Sequence, residues 1–158
     1  MKLQFWKTYL VWVLLAEGVG ALSGFLTKAG VAQYEAAARK PPLTPPGWVF
    51  PLVWGILYVL MGLGAARVYL TPASDARSRA LGLFLLQLAV NFLWSIFFFN
   101  GRLYFFSFLW IMGLWGLILL MMTAFLPLDK WAAAMQIPYL LWVTFAAYLT
   151  FGVWRLNG

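Results

Sequence analysis

The chain has 158 residues, of which 65% are hydrophobic and only 9% are charged, and its formal net charge is +7. A soluble domain has about 25% charged residues, so the composition excludes a water-soluble globule and predicts an integral membrane protein. The absence of both cysteine and histidine excludes disulfides, zinc sites of the thiolate or imidazole type, histidine-ligated haem and a Ser-His-Asp triad.

Five apolar stretches predict the fold class, an all-α bundle of five transmembrane helices that forms one membrane domain over residues 1–158. Each stretch is close to the roughly 20 residues that span a bilayer, and none alternates like a transmembrane β-strand. The spans are expected at residues 5–26, 48–68, 80–99, 103–126 and 131–154. Lysines and arginines are scattered over the span ends, which is typical of anchors at the lipid surface, so the bilayer and not nucleic acid is the expected partner.

The first span has two unusual features. Ala16, Gly20 and Gly24 recur at every fourth position, which predicts a close approach of another helix, either inside the bundle or in a dimer. Glu17 is the only acid deep in a predicted span. Because a charge at mid-bilayer costs at least about 2.5–3.5 kcal/mol, Glu17 should be protonated or paired. A hydrogen bond to a ligand and a purely structural role are both open.

The longest connection, residues 27–47, is expected to be a lid over the bundle. Residues 36–38 can form a short helix, and the four prolines in residues 41–46 stiffen the rest of the connection, because the residue before a proline is held extended. Thr44 is a candidate N-cap of the second span, with Pro45 at the first helical position. Stiffness lowers the entropy lost when a loop closes over a ligand. A lid and a plain rigid connector are both consistent with the pattern.

One face of the third span carries two amides and two aromatic rings, from Gln87, Asn91, Trp94 and Phe98, at spacings of four, three and four. The face should look inward, because amides in contact with lipid would be costly. It therefore predicts either a cavity wall or a hydrogen-bonded seam between helices.

Matching stripes occur in the second span, with Trp54 and Tyr58, and in the fifth, with Trp142 and Ala146. If the three stripes converge, they enclose a flat-walled aromatic pocket with few hydrogen-bonding groups. Such a pocket suits a large, rigid, mostly apolar ligand such as a tetrapyrrole, a sterol or a fused-ring drug. Trp48 lies near a span end, where a place in the interfacial aromatic belt is the default interpretation.

Several motifs together resemble the TspO/MBR family, which comprises the bacterial tryptophan-rich sensory proteins and the mitochondrial translocator protein. The resemblance covers nearly the whole chain. It depends on Lys40–Pro41 followed by Pro45–Pro46, on PLVWGILY at 51–58, on NFLWSIFF at 91–98 and on PYLLWVTFAAYL at 138–149.

The resemblance implies a five-helix bundle, usually a homodimer, whose pocket is closed by the first loop. It implies a sensor or carrier that needs no cofactor and takes porphyrins such as protoporphyrin IX, cholesterol or benzodiazepine-type drugs as ligands. The resemblance and the inward face of the third span together give the expected ligand-binding residues, which are Trp48, Trp54, Tyr58, Gln87, Asn91, Trp94, Phe98, Trp142 and Ala146. The expected lid residues are Tyr34, Lys40, Pro41, Leu43, Pro45 and Pro46.

Three departures from the family pattern bear on function. Leu43 stands where many members have a tryptophan, and some bacterial members use that tryptophan, with the one matching Trp142, in light- and oxygen-dependent porphyrin breakdown. A porphyrin-degrading enzyme is therefore the alternative function, with Trp142 kept and its companion lost. Gln33 replaces another family tryptophan. Phe151 replaces the tyrosine of a cholesterol-recognition stretch, which weakens the case for a sterol. A transporter is disfavoured because the sequence shows no inverted repeat, no broken helix and no obvious coupling-ion site.

Overall fold

The structure of the chain is a computed structural model, which describes residues 2–158 and the surroundings of the side chains from residue 4 onward. These residues form helices and no strand. The helices are α1 (Lys2–Leu26), α2 (Lys28–Ala37), α3 (Val49–Tyr69), α4 (Asp75–Ser95) with a π-helical turn (Ile96–Asn100), α5 (Tyr104–Phe125), α6 (Lys130–Ala134) and α7 (Ile137–Asn157).

Five segments of the described chain are long and apolar enough to cross a membrane, so the expected all-α, five-span fold is confirmed. They are Gln4–Leu26, Val49–Tyr69, Asp75–Asn100, Tyr104–Phe125 and Lys130–Asn157. The third span begins five residues earlier than expected, because Ser74 caps it: the Ser74 hydroxyl oxygen accepts a hydrogen bond of 3.1 Å from the Arg77 N–H.

The fifth span is not the single helix predicted at 131–154. It consists of α6 and α7, joined by a turn at residues 135–136. In an unbroken helix the ring of Pro138 would clash with the carbonyl of Ala134, so the proline instead occupies the first turn of a new helix. Asp129 caps α6 by accepting a hydrogen bond of 2.9 Å from the Ala132 N–H.

The first connection is more ordered than expected. It begins with the ten-residue helix α2 in place of a short helix at 36–38. Thr44 is not an N-cap: its hydroxyl donates to the carbonyl of Pro41 at 2.7 Å, and α3 begins only at Val49, with Trp48 in the capping position.

Helix α1 packs along α3, while α4, α5 and α7 pack side by side to complete the bundle. Ala16 is fully buried, and Gly20 lies against the ring of Tyr58. From the other side, Gly62 of α3 lies against the backbone of Val13. The small residues of α1 therefore serve close packing inside the bundle. Gly24 is the exception, because the space around its Cα is open.

An ion pair ties α3 to the start of α6 at the end of the bundle away from residues 27–47. Arg67 Nε lies 3.0 Å from Asp129 Oδ1, with the two side chains 31% and 18% exposed. Burial raises the pKa of Asp129, but hydrogen bonds from Arg67 and from the Ala132 N–H outweigh it and hold that pKa below its usual range.

Candidate ligand-binding site

A cavity of about 580 Å³ lies under residues 27–47, between the adjoining ends of α1, α3, α4 and α7. Its volume falls in the range of about 300–1,000 Å³ that is usual for small-molecule sites. Six of the nine residues expected to bind a ligand line it, and they come from three different helices: Trp54, Tyr58, Trp94, Phe98, Trp142 and Ala146. The three stripes therefore converge as the pattern indicates.

The π-helical turn widens the aromatic wall. The Gly101 N–H donates to the Ile96 carbonyl at 2.9 Å, five residues back, and this wider turn lets both Phe98 and Phe99 reach the cavity. Phe98 stacks on Trp94 with ring centroids 5.0 Å apart and an interplanar angle of 17°. Phe99 is a wall residue that sequence reasoning missed, since a regular helical period puts it on a different face.

The other half of the third-span stripe does not reach the cavity. Gln87 and Asn91 are 0% and 2% exposed, and both amides bind the same hydroxyl, that of Tyr139. The Tyr139 hydroxyl donates to Gln87 Oε1 at 2.7 Å and accepts from Asn91 Nδ2 at 2.9 Å. This half of the face is thus a hydrogen-bonded seam between α4 and α7. Tyr139 stands edge-on behind Trp54, with centroids 6.2 Å apart.

Trp48 is also off the cavity wall. Its side chain is 69% exposed at the start of α3, which fits a place at the lipid surface. Phe50, two residues later, takes up the position on the wall and packs edge-to-face on Trp142, with centroids 5.8 Å apart.

Two indole N–H groups on the wall are buried and find no hydrogen-bond partner among the described residues. They are Nε1 of Trp94 and Nε1 of Trp142. Buried donors without a partner are rare in folded proteins. Both nitrogens belong to side chains that line the cavity, although the nitrogen atoms themselves are covered by protein.

The strap, residues 38–48, borders the cavity through Gly47 and is attached to α7. The Arg39 N–H donates to Asn157 Oδ1 at 2.9 Å, and Asn157 Nδ2 donates to the Arg39 carbonyl at 2.8 Å. The Tyr148 hydroxyl donates to the Pro42 carbonyl at 2.9 Å. Pro41 is buried against Gly152, where an added Cβ would lie 2.5 Å from the Pro41 Cβ.

Helix α2 is held on the opposite side, at the end of α4. Asn100 Nδ2 donates to the carbonyl of Leu26, the last residue of α1 before α2 begins, at 3.0 Å. Arg102 donates to Oε1 of Gln33 in α2 itself. Gly30 allows α2 to approach the backbone of Phe99, since an added Cβ would lie 2.8 Å from that carbonyl oxygen.

Of the predicted lid residues, Tyr34 comes nearest to the ligand space. It lines the cavity and packs on Phe98 and Phe99, with centroids 5.3 and 5.4 Å away. Burial, with the neighbouring Glu35, raises the pKa of Tyr34 to about 12. Lys40 Nζ lies 5.0 Å above the same ring and donates to the Glu35 carbonyl at 3.2 Å.

The remaining lid residues form the turn of the strap. Leu43 is 80% exposed and adopts a positive φ of 72°, so its side chain lies away from the cavity. Pro45 is half-buried and Pro46 is exposed. The side chain that replaces the family tryptophan thus contributes nothing to the wall.

Comparison with known proteins places the chain among relatives of matching length. The TspO/MBR family matches residues 9–155. The chain is 38% identical to a tryptophan-rich sensory protein of Cereibacter sphaeroides, over 96% of this chain and 92% of that one. It is 34% identical to protein CrtK of Rhodobacter capsulatus, over 99% and 95%, and 34% identical to a translocator protein of Sus scrofa, over 88% and 86%. The chain therefore belongs to the TspO/MBR family and is an integral, multi-pass membrane protein.

Proposed function

We propose that this protein binds a large, flat, mostly apolar ligand of the tetrapyrrole class, such as protoporphyrin IX, and acts as a sensor or carrier of that ligand. The observation that carries the proposal is the cavity under residues 27–47, whose wall is built largely of aromatic side chains from three helices. Relatives named as a sensory protein and as a translocator protein support a role in sensing or transport.

The shape of the wall favours a planar ring system. Trp54 and Tyr58 face the cavity from α3, with ring centroids 5.7 Å apart, and the stacked pair Trp94 and Phe98 faces it from α4. Flat rings gain most from offset or edge contacts with such side chains. Ala146 contributes only a methyl group on the α7 side, which leaves room for the ligand.

We expect the unpartnered indole N–H groups of Trp94 and Trp142 to turn toward a ligand that carries carbonyl or carboxylate groups at its edge. A porphyrin with propionate side chains satisfies this requirement, and so does a benzodiazepine-type drug with a carbonyl. A sterol has one hydroxyl and a puckered skeleton, so it would use fewer of these contacts. We therefore rank the tetrapyrrole first and the fused-ring drug second.

Light-dependent porphyrin breakdown is the second candidate. The position of Trp142 on the wall favours it, because a tryptophan in contact with an excited porphyrin can take part in electron transfer. Leu43 counts against it, because the companion position is exposed and carries no aromatic ring.

The test is a titration of the purified protein with protoporphyrin IX in the dark, followed by tryptophan quenching. Trp142→Phe keeps a ring but removes the indole donor. It should weaken binding by about 1 kcal/mol, or roughly fivefold in Kd. Trp131→Phe is the matched control, since Trp131 is exposed at the start of the fifth span and off the wall.

Each saturated sample is then illuminated while its absorbance is followed. Saturable binding that depends on Trp142, with the same spectral change in light as free porphyrin, supports a binding protein. A new product spectrum that requires Trp142 supports the enzyme. Without saturable binding in the dark, the tetrapyrrole proposal is wrong.

A further inference from the structure

We propose that Glu17 anchors a positively charged nitrogen of the ligand, so that the cavity prefers a cationic aromatic molecule to its neutral isostere. This inference rests on the proposed function, because it assigns a charge preference to the same cavity. A protonated amine on a flat, fused-ring molecule is the source of such a group.

Glu17 belongs to one flank of α1 that runs along the cavity. Glu17, Ala21 and Gly24 are spaced by four and three residues and line the cavity, and so does Lys28, the first residue of α2. The two middle residues are small, and an added Cβ at Gly24 would meet nothing within 4 Å. A ligand can therefore lie directly against α1 between the acid and the base.

Glu17 forms no ion pair with any lysine or arginine among the described residues. The ion pair found among the described residues joins Arg67 to Asp129, at the other end of α3. Lys28 is the basic residue that the described cavity wall offers, and it lies eleven residues further along the chain. At 1.5 Å per helical residue, the nine residues of α1 that follow Glu17, up to Leu26, alone span about 14 Å, so Lys28 beyond them is too far for direct pairing.

A carboxyl group at this depth calls for a partner. Acids within membrane spans pair with another charge or with polar groups, because the bilayer solvates them poorly. Trp54 and Tyr58 provide aromatic surface on the same wall, and aromatic faces also attract cations. A ligand with a cationic nitrogen and a flat apolar body would satisfy the acid and the rings together.

The test uses two probes with one ring system, 1-pyrenemethylamine, which is an ammonium ion at pH 7, and 1-pyrenemethanol, which is neutral. The protein is held in nanodiscs of zwitterionic phosphatidylcholine, so that the lipid does not attract the amine by charge. Energy transfer from tryptophan to pyrene reports binding. The quantity compared between variants is the ratio of the two Kd values. Both probes carry the same pyrene ring, so the partitioning of that ring into lipid affects both Kd values equally and drops out of the ratio.

The wild type is expected to bind the amine about tenfold more tightly than the alcohol. Glu17→Gln should bring the ratio close to one, while Glu17→Asp, which keeps the charge on a shorter side chain, should give a ratio in between. Asp75→Asn is the control: it removes an acid at the start of α4, outside the residues that line the cavity, and should keep the wild-type ratio.

Two results overturn the inference and leave the proposed function standing. One is an unchanged ratio in Glu17→Gln while both probes still bind saturably. The other is an equal loss of preference in Asp75→Asn, which would trace the effect to total charge and not to Glu17. If neither probe binds the wild type saturably, the aromatic site itself fails, and the inference fails with it.

Discussion

At the scale of single residues, Gly20 decides how closely α1 approaches α3. The ring of Tyr58 occupies the space that a Cβ on residue 20 would need, and that ring is also part of the cavity wall. Close packing of α1 and the shape of the cavity thus depend on the same missing side chain.

Gly20→Ala is expected to lower the free energy of unfolding by about 1–3 kcal/mol, the usual cost of overpacking. Its Cβ would lie 2.6 Å from Cδ2 of Tyr58, so the ring has to move. Gly18→Ala is the matched control on the same helix, where an added Cβ meets nothing within 4 Å. It should keep or raise stability by up to about 1 kcal/mol, because alanine favours the helix. Thermal unfolding in detergent, followed by circular dichroism, measures both, and equal effects would contradict this account.

Sequence periodicity was sufficient to predict which side chains face inward, but not how far along the bundle the cavity extends. Trp94 and Asn91 lie on one inward face, yet the indole meets the cavity while the amide binds Tyr139. A helical period defines a direction around the axis and carries no information on depth. Phe99 could not be predicted for another reason: the π-helical turn shifts the period locally, and no residue in 96–100 marks that shift.

At the scale of the secondary-structure elements, the strap and α7 behave as one unit, because a single side chain at the end of α7 binds both polar groups of the Arg39 backbone. Asn157 is suited to this role, since its amide can accept from the N–H and donate to the carbonyl at once.

Asn157→Ala is expected to speed ligand dissociation several-fold, because the strap loses two hydrogen bonds worth about 1 kcal/mol each and opens more often. Asn157→Asp keeps the acceptor for the Arg39 N–H but loses the donor, so its dissociation rate should lie between those of wild type and Asn157→Ala. Stopped-flow displacement of bound porphyrin measures the rates. Identical rates in all three proteins would mean that the strap does not control release.

The helices themselves were largely predictable, since the length and apolar character of each span follow from the thickness of the bilayer. The break in the fifth span has a visible cause in Pro138. Helix α2 was underestimated because the prolines that come after it dominated the interpretation of the whole connection, although its alanine content favours a helix.

At the scale of the whole molecule, the strap joins α7 at one end of the bundle, and the pair of Arg67 and Asp129 joins α3 to α6 at the other. Both attachments link the early part of the chain to its last span. The homodimer that the family resemblance implies stays a prediction.

The second attachment predicts an acid-sensitive stability. The pKa of Asp129 is lower in the folded protein than the value of about 3.9 expected for an unfolded chain. Its stabilising contribution is therefore fully present above about pH 4 and is lost as the pH falls below that value. Both side chains are partly exposed, so screening limits the contribution to about 1 kcal/mol or less.

Asp129→Asn should remove this contribution at pH 7 and flatten the acid limb of a stability–pH curve, while asparagine still caps α6. Asp75→Asn is the control, because Asp75 begins α4 and forms no ion pair within the described chain. Denaturant unfolding between pH 2.5 and 7 measures both curves. An acid limb of the same slope in Asp129→Asn and in wild type would be evidence against the pair.

The attachment of the strap to Asn157 also determines when, during synthesis of the chain, the site can be completed. Arg39 and Asn157 are separated by 118 positions in the chain. At about 5–20 residues per second, a ribosome makes the second of them roughly 6–24 s after the first. During that interval four spans can already be in the bilayer while the strap lacks its attachment to Asn157. A newly made molecule therefore passes through a stage in which the part of the aromatic wall formed by α3 and α4 is open to any planar compound in the membrane, and the strap can be attached only after α7 has been made.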